Sequence, residues 1–259
     1  MNITWDEQHY ENNFSFVHGY GEAVLGLLDV KAGARVLDLG YGNGALTKAL
    51  EDRGYRALGL DDSAEMIAGA KAAYPDLTFV QANAIDFALD EPVEAVFSNA
   101  VLHWIGKKDQ PALLASVARA LMPSGQFVFE CGGFGNAHLI HSALRDAFAK
   151  RGLGYRIPQY FPTIGEYASM LESAGFKVVF ATLFDRFTPL LGDDGLANWI
   201  RTFQQSAFVD MEDTLREEII REAVDSTRAE LFVDNVWYAD YVRLRMKAIK
   251  LGERANEHP

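Results

Sequence analysis

Apolar and polar positions change period repeatedly between residues 35 and 130. Short apolar runs at 36–39, 56–60, 77–81, 93–98 and 126–130 have the length of buried strands. The stretches between them carry a helical period. After Gly44, Leu46, Ala49 and Leu50 share one side, and in 109–121 Leu113, Leu114, Val117 and Leu121 do the same. Ser63 is placed as the N-cap of a helix running to Ala73. Strand alternating with helix predicts an α/β fold with a doubly wound, mostly parallel sheet. Ahead of it, 21–30 reads as a helix with Val24, Leu25, Leu27 and Leu28 as its apolar face. Residues 2–20 are polar but hold Trp5, Tyr10, Phe14, Phe16 and Tyr20 without a clean period, the pattern of a lid or pocket wall.

Beyond Cys131 the pattern changes. Gly132, Gly133 and Gly135 form a loose loop, 138–150 and 164–174 are helical, and 156–162 is an extended aromatic loop. Residues 177–183 form a sixth strand, and 197–229 are mostly helical with Trp199, Phe203 and Phe208. In 241–250, Val242, Leu244, Met246 and Ala248 alternate with Arg243, Arg245 and Lys247. That predicts a strand with one buried and one solvent face, returning antiparallel beside the sixth. No repeat or low-complexity linker interrupts the chain, so one domain is expected over 1–259. Its parts are a lid and helix (1–30), a cofactor-binding half (31–135), a C-terminal sheet half (136–189 and 237–250) and an inserted helical cap (190–236).

The chemistry concentrates after the first strand, where Gly40, Gly42 and Gly44 form a tight turn into a helix. Bare backbone N–H groups at such a turn can hold a ligand. Gly40, Gly42 and Ala45 also satisfy the dinucleotide pattern, with Asp61 about 20 residues on, so nicotinamide and sulfonium cofactors are both open. Asp38 decides between them. Facing the crevice, its carboxylate would repel a pyrophosphate by roughly 1–4 kcal/mol but attract the sulfonium and ammonium of S-adenosylmethionine. Asp61 is placed to bond the ribose hydroxyls, with Asp62 beside it. Asn83 is placed to meet the adenine amino group with its side-chain oxygen, flanked by Ala84 and with Ile85 covering the ring. Asn99 ends the fourth strand beside this cavity, and Tyr41 stands within the turn.

Twenty-four basic against 36 acidic residues give a net charge of −12, which opposes nucleic acid as a partner. The alternation in 243–250 assigns the one basic cluster to a solvent face. No apolar run has membrane-spanning length, and the N-terminal stretch lacks signal-peptide features, so a cytoplasmic protein with no membrane partner is expected. A single cysteine excludes an internal disulfide. His138 and His141 lie three apart on a helix but without a third ligand, so no metal is expected.

The motifs VLDLGYGNG, GLDDSAEMI, QANAIDF, SNAVLHW and LMPSGQF, spread over 35–129, resemble those of the class I S-adenosylmethionine-dependent methyltransferases. Within that family the chain is similar to the branch containing trans-aconitate methyltransferase, through its opening W-x4-Y, SNAVLHW and the aromatic C-terminal insert. The resemblance implies a seven-stranded Rossmann-like sheet with a reversed final hairpin, and S-adenosylhomocysteine as product. It also implies Tyr10 at the cofactor. Three departures stand out. Tyr41 occupies a position usually small, where it could narrow the cofactor mouth; Asn83 replaces an acid; and basic residues are missing just after Tyr10. SNAVLHW also lacks the signature used on exocyclic amines of bases. The expected reaction is O-methylation of a carboxylate or hydroxyl on a small-molecule acceptor. C- or N-methylation and non-catalytic cofactor binding are the alternatives. His103 is the first candidate base or acceptor-orienting residue, and His18 a second catalytic candidate. Trp199, Trp237, Tyr238 and Phe161 are candidates for an acceptor pocket, and the expected assembly is a monomer or homodimer.

Overall fold

Val36, Leu37 and Leu39 are fully buried in β1 (Arg35–Leu39), the strand around which the sheet is laid. The computed structural model describes residues 16–252, with the backbone alone for 16–20. After α1 (Phe16–Leu25) and β1 come α2 (Ala45–Asp52), β2 (Arg56–Asp61), α3 (Ala64–Ala73), β3 (Thr78–Gln81), β4 (Val93–Asn99), α4 (Gln110–Ala120) and β5 (Leu121–Gly132). The second half supplies α5 (His138–Ala149), α6 (Ile164–Ser173), β6 (Phe176–Leu190), α7 (Gly195–Phe203), α8 (Asp213–Leu231), β7 (Phe232–Val233) and β8 (Val236–Lys250). Ser63 caps α3 as expected, its hydroxyl oxygen accepting the Met66 N–H.

The sheet runs β3-β2-β1-β4-β5-β8-β6, with two-residue β7 paired to β8 as a further strand. β1 to β5 are parallel, and β8 is antiparallel to both β5 and β6. Chain order therefore reverses between β1 and β4, which opens a crevice at the C-terminal ends of those strands. Alternate side chains feed two cores. Leu37, Leu39, Val96, Phe127 and Phe129 pack with α4 and α6, while Val36, Ala95, Phe97 and Val128 pack with α1 and α2.

Three boundaries differ from the sequence expectation. α1 ends at Leu25 rather than continuing to 30, because the Asp29 N–H turns to the Gln126 side chain at 3.0 Å. β6 and β8 run on to Leu190 and back to Val236, pairing along their full 15-residue lengths. The extension places β8 in two cores. Trp237, Ala239 and Tyr241 pack among α5, α7 and α8, whereas Leu244, Met246 and Ala248 on the opposite face join the main core.

The basic residues of β8 do not form a solvent face. Arg245 binds Glu130 at 2.8 Å, Lys247 donates to the Leu27 carbonyl at 2.9 Å, and Lys250 to the Leu121 carbonyl at 2.6 Å. Arg243 is buried. The neighbouring strand β5 and the chain after α1 supply these partners, which a two-residue period alone does not reveal.

Candidate active site

The glycine turn is locked by sterics. Gly40 has φ +78°, and a Cβ there would lie 2.3 Å from a methyl of Val101. Its N–H donates to the Leu60 carbonyl at 2.7 Å, fastening the turn to the end of β2. Asp61 stands there, one carboxylate oxygen accepting the Gly42 N–H at 3.1 Å and the other the Ser63 N–H at 3.0 Å. Burial raises its pKa against the pull of those bonds. The second glycine's N–H is thus already occupied by a carboxylate that a pyrophosphate would have to displace. A cavity of about 100 Å³ opens beside the turn, lined by Gly40, Asp61, Asp62, Asn83, Ala84, Ile85 and Trp104 among others, and, among the described residues, by no lysine or arginine. Acids without a base suit a nucleoside with a cationic tail and oppose a dinucleotide.

Four candidates sit otherwise than expected. Asp38 does not line this cavity; it is buried beneath the turn, where its carboxylate accepts the Thr47 hydroxyl at 2.7 Å. Burial pushes its pKa up to about 7, with the Thr47 bond opposing and the charge of Asp61 adding. Tyr41 does not narrow the mouth. Its ring packs on Phe79 at 4.6 Å with Ile67 and Ala70, in space left open by Gly59, where a Cβ would meet the ring at 2.7 Å. Asn83 lines the cavity and also uses its side-chain oxygen locally, accepting the Ile85 N–H at 3.1 Å, which shapes the turn. Asn99 is buried at the end of β4 and is not part of the cavity wall. Tyr10 lies outside the described residues, as does the side chain of His18.

A second cavity, about 50 Å³, shares Trp104 with the first. Its walls include Ala100, His103, Phe161, Trp199, Phe203, Tyr241 and Arg243. His103 belongs to the short turn Leu102–Trp104 after β4, and its Nδ1 accepts the Gly132 N–H at 3.2 Å. That bond puts the remaining ring proton on Nε2. Burial, helped by the charge of Arg243, lowers its pKa to about 3, so the ring is neutral and a hydrogen-bond donor at physiological pH. Gly132 serves twice. A Cβ there would lie 2.7 Å from the Phe161 ring, so its absence admits that wall while its N–H orients His103. The aromatic loop is tied down by the Tyr160 N–H, which donates to the His103 carbonyl at 2.9 Å.

Of the expected pocket aromatics, Trp199 and Phe161 line this cavity, and the Trp199 indole donates to the Tyr241 hydroxyl at 2.5 Å. Trp237 and Tyr238 do not. Trp237 packs on Phe232 at 4.9 Å and donates to the Asp193 carbonyl at 2.9 Å. His141 bonds the Tyr155 hydroxyl at 2.7 Å, and no cluster of three metal-ligating side chains occurs among the described residues. Arg243 was missed as a pocket residue. Its parity with Trp237, Ala239 and Tyr241 was the available sign, since apolar side chains populate both faces of that stretch.

A parallel sheet closed by a reversed final pair, with an acid-lined nucleoside cavity where strand order turns, is the architecture of a class I S-adenosylmethionine-dependent methyltransferase. Residues 37–129 match the model of a methyltransferase domain. An uncharacterized methyltransferase of Schizosaccharomyces pombe is 31% identical over 260 residues, covering 95% of this chain and 98% of that one. A trans-aconitate 2-methyltransferase of Azoarcus is 35% identical over 124 residues, 47% of this chain and 48% of the relative. Among solved structures, phosphoethanolamine N-methyltransferase 2 of Haemonchus contortus, in complex with phosphomonomethylethanolamine and S-adenosylhomocysteine, has a TM-score of 0.60 at 16% identity. The match covers 95% of this chain and 57% of that one. This chain belongs to the methyltransferase family. No helix among the described residues is long and apolar enough to cross a membrane.

Proposed function

We infer that the protein methylates an oxygen of a small-molecule acceptor, a carboxylate in the first place, using S-adenosylmethionine. The observation that carries this reading is the state of His103. Its Nδ1 is engaged by Gly132 and its pKa is pushed to about 3, so it donates a hydrogen bond and does not take a proton. A carboxylate is already a nucleophile and needs no base, whereas an alcohol, phenol or ammonium must lose a proton. Bound S-adenosylmethionine supplies an electrophilic methyl on a sulfonium.

Asp61 would hold the ribose hydroxyls, with Asp62 alongside, and the turn at Asn83, Ala84 and Ile85 would border the adenine. Asp38 would act from beneath the glycine turn as a buried counter-charge, without touching the ligand. His103 would orient the acceptor while Trp104 separates nucleoside from acceptor and excludes water. The packing of Tyr41 against Phe79 supports an open, catalytic site over an obstructed one.

The test is a methyl-transfer screen over small acids, phenols and amines with labelled S-adenosylmethionine. The expected product is a base-labile methyl ester. Label found only in base-stable ethers or amines would overturn the reading.

A further inference from the structure

We propose that Arg243 selects the acceptor by holding its carboxylate, and that the acceptor is an acid with a flat apolar body; this rests on the O-methylation reading. Arg243 is only 8% exposed and lines the second cavity together with His103, Trp104, Phe161 and Trp199. Its guanidinium lies over the Tyr241 ring, 4.1 Å from the centroid. Among the described residues no carboxylate comes within ion-pair distance of it, and its Nε is buried without a hydrogen-bond partner. The nearby acids are engaged elsewhere. Glu130 is held by Arg186 at 2.5 and 3.0 Å and by Arg245 at 2.8 Å, and Asp240 accepts the Leu139 N–H at 2.7 Å.

A buried cation without a counter-ion is costly to keep. Here it faces a cavity instead of packed core, and with no counter-ion among the described residues an acceptor carboxylate would supply the missing anion. The planar fork of arginine matches a carboxylate bidentately. His103 contributes a further donor, and the ring walls accept an apolar or aromatic body.

The charges of the reaction agree with this placement. A carboxylate oxygen forms a bond to the methyl carbon, the methyl–sulfur bond breaks, and its electron pair remains on sulfur; no proton moves. Carboxylate and sulfonium are both neutralised, a change that a dry site favours. The methylated carboxyl carries no charge, and the ester of a monocarboxylic acid therefore loses its ionic hold on Arg243 and binds less tightly than the acid.

The experiment uses phenylacetate, cinnamate and trans-aconitate as acceptors, with wild-type protein and the Arg243→Met and Arg243→Lys variants. Arg243→Met should raise the KM of the preferred acid by about 100-fold or more, and Arg243→Lys by less, with S-adenosylhomocysteine affinity unchanged in both. The melting temperature of Arg243→Met should equal or exceed that of wild type, because an unpaired buried charge has been removed. Calorimetric titration of the acids and their methyl esters into the S-adenosylhomocysteine complex separates the two ideas. Acids that bind wild type but not Arg243→Met uphold the anchor even if the turnover screen yields no ester. Equal acid binding or equal KM in the two proteins, or esters binding as well as acids, would overturn it.

Discussion

The two cavities share Trp104 and differ in how their polar groups are satisfied. In the cavity beside the glycine turn, Asp61 is bonded to Gly42 and Ser63 and Asn83 to Ile85, each within its own or an adjacent loop. In the second cavity, His103 is set by Gly132 and Arg243 is left without an ionic partner among the described residues. A preformed, self-satisfied cavity suits a ligand that never varies. An unsatisfied one is completed only by its substrate, which makes binding selective.

Four changes test that contrast, beginning with the most severe. Gly40→Val forces a branched side chain to φ +78° and into Val101, and should abolish detectable cofactor binding and cost about 2–4 kcal/mol of stability. Titration calorimetry and urea unfolding would check both; an unaffected protein would mean the turn is looser than its contacts imply. His103→Ala should lower kcat by about 10- to 100-fold with little change in cofactor affinity. The wild-type kcat at saturation should also stay flat from about pH 6 to 9, because His103 does not titrate there. A rate that climbs through neutral pH would return a base to the mechanism.

The third is a pH effect on the cofactor side. Asp38 has a folded pKa near 7, above its unfolded value of 3.8. A cationic ligand favours the ionised form, so S-adenosylmethionine affinity should fall, by at most about tenfold per pH unit, as pH drops below 7. The uncharged thioether of S-adenosylhomocysteine should show a shallower dependence. For folding the sign is opposite. The native state binds the extra proton between the two pKa values, so this group's contribution to stability improves as pH falls from about 7 towards 4 and worsens on the way up. Removal of both trends in Asp38→Asn would attribute them to this residue. The smallest effect belongs to Tyr41→Phe. Its hydroxyl is buried without a partner and its ring lies off the cavity, so stability should hold or rise by about 1 kcal/mol and cofactor affinity should not change. A marked loss of affinity would place Tyr41 at the ligand after all.

The same contrast governs what could be read from the sequence. The glycine turn, the Ser63 cap and the alternation of strand and helix were legible because each leaves its mark in residue types a few positions apart. The antiparallel return of β8 was legible from its alternation. Its basic face was misread because burial there is imposed by Glu130, Leu27 and Leu121, more than 100 residues away in sequence. Asp38 was legible as part of this turn, but its burial against Thr47 was not. Charge complementarity identified the ligand class, whereas the direction of the side chain depends on Thr47 in the following helix.

β8 carries the cap core on one face at Trp237, Ala239 and Tyr241 and the main core on the other at Leu244, Met246 and Ala248. Because successive side chains on a strand face opposite ways, substitutions at 241 and 243 reshape the wall of the second cavity while leaving the packing of 244, 246 and 248 untouched. A descendant of this chain can therefore acquire a new acceptor by a few changes along one face of one strand. The cofactor machinery need not be reinvented, and divergence of substrate can outpace divergence of fold.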